Sequence, residues 1–129
     1  MKATIKHIQS KIDRRNYKII DKFIYFLQEQ YPLNDDVVIN FVGERIGKMT
    51  TGSRRKDGNI FVLTKKRIIR DILRTLAHEW VHEYQMNVLN RERGPDIGGE
   101  NEDMANAESG ALMKKFEKKN PEIEEKMYE

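Results

Sequence analysis

Two histidines stand four residues apart in the stretch His78-Glu79-Trp80-Val81-His82. At about 3.6 residues per turn, positions i and i+4 of an α-helix share one face, so both imidazoles can reach a single cation. Glu79 falls about 100° round the helix from His78. That offset sets its carboxylate beside such a cation rather than on it, within reach of a polarised water. The chain has three histidines and no cysteine. A metal here must therefore be held by imidazole and carboxylate, and a thiolate nucleophile or a disulfide framework is excluded.

The surrounding helix agrees with this assignment. With His78 at zero, His82 falls near 40°, while Ile69, Ile72, Leu73, Leu76, Ala77, Trp80, Val81, Tyr84 and Val88 cover roughly 120° to 300°. The apolar arc turns to the core and the two histidines point away from it. Asp71, Arg74 and Thr75 share the histidine side. Two imidazoles leave a zinc ion one short of the three protein ligands of a catalytic site. Downstream carboxylates are Glu100, Glu102, Asp103 and Glu108. A helix that brings one of them to the metal should bury the side holding Ala105, Leu112 and Phe116. Glu102 lies on that side, and Glu108 is about 240° away from Glu102.

The elements that position these residues follow from periodicity and turn chemistry. Residues 10–30 carry Ile12, Ile19, Ile20, Phe23, Ile24 and Leu27 at helical spacing, with Ser10 as the expected N-cap and Pro32 beyond the end. Residues 37–42 read as a strand ended by Gly43, residues 46–51 as a weaker extended stretch, and residues 59–64 as a further strand. Between the last two, residues 52–58 read as a loop whose strongest turn signal is Asp57-Gly58. The expected sheet is a small meander of about three strands. A long helix over residues 65–90 follows, then a loop over residues 91–99 with Gly94-Pro95 and Gly98-Gly99, a helix over residues 101–119, and a polar, frayed tail. The order is helix, sheet, helix, helix, an α+β arrangement in one domain over residues 1–129, with 119–129 as the tail.

At 129 residues the chain can build a real core, and with 35 % charged residues its surface is heavily charged. No apolar run reaches the roughly 18–20 residues that cross a bilayer, and the N-terminal stretch has the charge but not the apolar run of a signal peptide. No membrane contact is expected, and the expected location is cytoplasmic. A net charge of +3 does not by itself indicate nucleic acid.

His-Glu-x-x-His, a loop, and Glu-x-x-Ala-Asn on a second helix together resemble the gluzincin metallopeptidases, a zincin group. Nineteen residues separate His82 from Glu102, a spacing similar to that of thermolysin-like members. The Glu102-Asp-Met-Ala-Asn106 stretch most resembles the small ImmA/IrrE-type gluzincin domains. The resemblance covers about residues 59–116. It implies a minimal zincin-like fold, zinc ligands His78, His82 and Glu102, and Glu79 as catalytic base of a hydrolase acting on a protein or peptide. It also implies that the strand before the motif helix edges the substrate cleft. Many gluzincins have Asp where this chain has Asn106, and there it orients a ligand histidine.

On that reading Zn²⁺ activates a water, Glu79 takes its proton during attack on a peptide carbonyl, and the same carboxylate passes the proton to the leaving amine. Tyr17, Tyr25, Tyr31, Tyr84 and His7 are the candidates for steadying the oxyanion, with Tyr84 also read as core and His7 as a surface residue. One rival is a zinc-binding regulatory or interaction domain without hydrolysis, against which the carboxylate of Glu79 argues. A second is a nucleic-acid-associated protein using the basic stripe Arg67, Arg70 and Arg74 and the loop tip Arg54-Arg55-Lys56. No RRM, KH or zinc-finger pattern supports that second rival, and nucleic-acid binding is not expected.

Overall fold

The computed structural model describes residues 1–92 and 99–129. Its fold is α+β, with a four-stranded mixed sheet and the helices packed on it. The strands are β1 (Ala3–Ile8), β2 (Val37–Val42), β3 (Gly52–Arg54) and β4 (Asn59–Leu63). The helices are α1 (Tyr17–Gln30), α2 (Ile69–Asn87), α3 (Glu100–Lys119) and the short α4 (Pro121–Glu124).

The sheet order is β1-β2-β4-β3. β1 and β4 both run parallel to the central β2, and β3 runs antiparallel to β4. The expected meander is therefore corrected: β1 and β2 are parallel neighbours joined through α1, and a strand precedes the first helix. β2 and β4 are buried on both faces, which is why they read as continuous apolar runs. Their alternate residues divide between two clusters. Ile39, Phe41, Ile60 and Val62 enter the main core with α1, α2 and α3, while Val42, Phe61 and Leu63 join Met49 on the opposite face.

Several boundaries move for identifiable reasons. Ser10 caps no helix; its hydroxyl accepts from the Ile12 backbone N–H, and Asp13 caps a 3₁₀ turn, Arg14–Asn16, before α1 begins. The extended stretch expected over residues 46–51 is irregular, and the short strand falls just after it at β3. β3 takes the first residues of the expected loop, leaving the turn at Arg55 to Gly58, where the Gly58 N–H donates to the Arg55 carbonyl. α2 is shorter at both ends than the expected residues 65–90. The Gly94-Pro95 and Gly98 turn signals lie outside the described residues. The tail is not frayed. α4 and the 3₁₀ turn Glu125–Tyr128 place Ile123 and Met127 in the main core, an i, i+4 pair on one face.

Among the described residues, no helix is long and apolar enough to cross a membrane.

Candidate metal centre

α2 is amphipathic in the sense its sequence requires: Ile69, Ile72, Leu73, Leu76, Ala77, Trp80 and Val81 are buried, and His78 and His82 face away from them. Trp80 is fully buried, and its indole N–H donates to the Tyr31 carbonyl at 2.9 Å, which fixes the rotation of the helix. α3 packs along α2. It starts from Gly99, whose φ of +84° is a backbone state that glycine adopts without strain, and the Gly99 carbonyl accepts from the Asp103 N–H. Glu102 thus sits in the first turn of α3 with Ala105, Leu112 and Phe116 buried beneath it.

The structure brings His78, His82 and Glu102 together. His78 Nε2 lies 3.0 Å from Glu102 Oε1, and His82 Nε2 lies 3.0 Å from Glu102 Oε2. The two Nε2 atoms are themselves 3.0 Å apart. Of the alternatives left open by the sequence, Glu100 and Asp103 are exposed. The Glu108 carboxylate is engaged with Tyr31, whose hydroxyl it helps hold far above the ordinary phenol range after burial has raised it.

A hydrogen-bond chain fixes what the imidazole of His82 presents to this cluster. Gln85 is fully buried, and its Nε2 donates to the Asn101 carbonyl at 2.9 Å. That sets the amide, so Gln85 Oε1 is the atom 2.9 Å from His82 Nδ1 and must accept from it. In the neutral form the ring therefore carries its proton on Nδ1 and turns Nε2 toward Glu102 and His78. Two imidazole nitrogens and a carboxylate gathered at 3.0 Å form a group that could hold a cation. A zinc-type ion would be held by one atom from each of these three residues, atoms that lie within 4.8 Å of one another, and catalytic zinc sites use three such protein ligands. The donor set fits a borderline divalent ion of the zinc type. Burial pushes His78 below the ordinary imidazole range against the opposing pull of Glu102, which favours the neutral, ligating form.

Glu79 is buried and lines the same cleft as the histidines. Its neighbour is the backbone of β3. A Cβ on Gly52 would come 2.5 Å from Thr75 Cγ2 and 3.1 Å from Glu79 Cγ, so only glycine lets the edge strand lie this close to α2. At the other end of β3, Arg54 reaches into α2 and pairs with Glu83, itself almost fully buried and also bonded to Asn87 Nδ2. The cleft, of about 1170 Å³, lies between the segment over residues 46–56, α2 and the start of α3.

Several expected roles fall elsewhere. Tyr17, Tyr25, Tyr31, Tyr84 and His7 are not among the described residues lining the cleft. Tyr31 and Tyr84 pack edge to face, Tyr84 against the core as expected, and His7 stacks between Tyr17 and Phe41. Asn106 lies exposed at the rim and gives its carbonyl to Ser109; the group that orients His82 is Gln85. Asp71 is exposed, and its carbonyl accepts from Arg67. The basic stripe is interrupted, because Arg67 also donates to Leu63 and Thr75 and Arg70 pairs with Glu117. Sequence reasoning missed Gln85, Gly52 and Glu83. With His78 at zero, Gln85 falls at about 340° on the histidine side and Glu83 at about 140° at the margin of the apolar arc, and nothing local to the helix shows that both are buried.

No protein-family model, no curated protein and no solved structure matches the chain.

Proposed function

We propose that the chain is a zinc-dependent metallopeptidase of minimal zincin-like form, with His78, His82 and Glu102 as metal ligands and Glu79 as general base. The observation that carries this reading is the convergence of His78, His82 and Glu102, with one ligand atom from each lying within 4.8 Å of the others, beside a cleft. When bound, the ion supplies Lewis acidity toward a carbonyl oxygen and toward water.

The protein's own groups do the rest. Gln85 holds His82 in the ligating tautomer. Gly52 lets Glu79 stand against β3, on the cleft side of α2. A carboxylate there removes a proton from the attacking water and returns it to the amine nitrogen as the peptide C–N bond breaks. Partial burial from bulk water strengthens both transfers. A carboxylate beside three protein ligands has no use in a purely structural site, which closes with four. That favours hydrolysis over a regulatory zinc domain.

Metal analysis of three proteins tests the reading. Wild type should retain one zinc per chain. Glu102→Ala should lose it at chelator concentrations the wild type withstands, and Glu79→Gln should keep the ion and lose peptide cleavage. Full zinc retention by Glu102→Ala, or undiminished cleavage by Glu79→Gln, overturns the assignment.

A further inference from the structure

The walls of the cleft are strongly basic, and the positive charges flank the candidate metal centre. Lys48, Arg54, Arg55, Lys56, Arg74 and Arg91 line it, against Glu79, Glu92 and Glu102. Arg54 is neutralised by Glu83. Glu102 is turned to the histidines and Glu79 is buried, so Glu92 is the exposed acid on the wall among the described residues. Lys48, Arg55, Lys56 and Arg74 are exposed and take part in none of the ion pairs among the described residues.

Arg55 is held in place by a neutral neighbour, and Arg74 extends toward α3. The Arg55 guanidinium lies 4.4 Å from the Phe61 ring centroid, a cation–π contact that positions it and leaves its N–H groups open. Arg74 reaches across to α3, its Nη2 3.7 Å from where a Gly110 Cβ would stand. Their places along the cleft follow from the pairing of β3 with α2. Gly52 lies against Thr75 and Glu79, and Arg54 against Glu83. Arg74 therefore stands at one end and Arg55 with Lys56 beyond the other. Glu83 is eight positions along the helix from Thr75, about 12 Å at 1.5 Å per residue, which an extended chain of about four residues spans at 3.3 Å each.

We propose that this cleft recognises an acidic polypeptide segment, with carboxylate side chains on both sides of the bond held over the metal centre; the proposal rests on the peptidase reading and names its substrate class. A cleft lined by one sign of charge focuses the field and selects the opposite sign. Nucleic acid is the other polyanion that could answer to these charges. The described lining contains no Phe, Tyr or Trp on which bases could stack, so the peptide is favoured.

The test separates binding from turnover. Zinc-loaded Glu79→Gln protein is titrated with three fluorescent eight-residue peptides: one with Glu on both sides of a central Ala-Leu, its Gln counterpart and its Lys counterpart. A single-stranded DNA octamer is the fourth probe. The Glu peptide should bind about 10-fold or more tighter than the Gln peptide at low salt, and the gap should close as the screening length falls toward about 3 Å near 1 M. Arg55→Gln and Arg74→Gln should each reduce that preference severalfold, and Arg55→Glu with Lys56→Glu should move it toward the Lys peptide. Equal binding of the Glu and Gln peptides, or tighter binding of the DNA, overturns the proposal. Wild-type protein is then given a mixed peptide library. Cleavage without acidic preference sinks the substrate class and leaves the peptidase reading standing. No cleavage, with selective binding intact, sinks hydrolysis and leaves acidic-segment recognition standing.

Discussion

Gln85 and Asn101 tie α2 and α3 together: the buried amide of Gln85 on α2 donates to the carbonyl of Asn101 in the first turn of α3, at 2.9 Å, while its oxygen accepts from His82. One side chain thereby sets the tautomer of His82, a proposed ligand, and the position of the neighbour of Glu102. Removing it should loosen both at once. Gln85→Ala is expected to weaken zinc by about 10–100-fold, the usual effect of losing a group that orients a ligand. Gln85→Glu restores an acceptor for His82 and should recover part of that loss. Competition with a chromophoric chelator measures both, and unchanged affinity in Gln85→Ala would remove Gln85 from the site.

The contact between Gly52 and α2 makes a second prediction, one that separates metal binding from chemistry. An added methyl group at Gly52 would meet Thr75 Cγ2 at 2.5 Å and crowd Glu79 Cγ at 3.1 Å, forcing β3 away from the helix. Gly52→Ala should cost about 1–3 kcal/mol of stability, as overpacking does. Its zinc affinity should stay near wild type, because the added methyl meets Thr75 and Glu79 and neither is a proposed ligand, while peptide cleavage falls through displacement of Glu79. A thermal melt with zinc titration checks this, and a fall in zinc affinity as large as the fall in activity would refute the division.

The motif helix and its two histidines were legible because i, i+4 spacing and an apolar arc are local properties of one helix. Glu102 came within reach because α3 has an apolar side beneath it. Other features depend on partners distant in sequence. β1 is an edge strand that turns only Ala3 and Ile5 partly inward, too short a period-two signal to separate it from a coil. Ile12 falls in helical register with α1, which hid the 3₁₀ turn and extended the expected helix. The tail reads as polar because its two anchors, Ile123 and Met127, stand alone among charged residues. Gln85 and Glu83 look like ordinary polar positions until α3 and β3 supply their partners.

His7 provides a pH-dependent prediction away from the metal centre. It stacks on Tyr17 with centroids 4.5 Å apart and on Phe41 at 5.5 Å, and although the residue is exposed, partial desolvation there holds its imidazole below the ordinary histidine value. A histidine with a lowered pKa in the folded state stabilises the fold while neutral. That contribution is complete above the unfolded value of about 6.5 and is lost as pH falls through the folded value. The unfolded chain binds the proton first, so stability should decline on acidification below about 6.5. His7→Phe should flatten this part of the profile. Direct titration of the His7 ring signals by NMR is the check, and a midpoint at or above that of a free histidine peptide would contradict the assignment.

Arg54 and Glu83 join the edge strand to the motif helix inside the protein, with side chains 10 % and 1 % exposed. Such a pair is expensive to break from one side, because the remaining charge stays buried without its partner. Arg54→Met should therefore destabilise by about 3–5 kcal/mol. Glu83 also accepts from Asn87 Nδ2, so Glu83→Met loses a second contact and should cost at least as much. The double substitution removes both charges and leaves apolar side chains of similar length in their place. It should be more stable than either single variant, and the coupling from the double-mutant cycle should be large and favourable to the pair. If the two single effects add, Arg54 is a solvated cation in solution, and β3 is held against α2 by the close approach of Gly52 and its ladder to β4 alone.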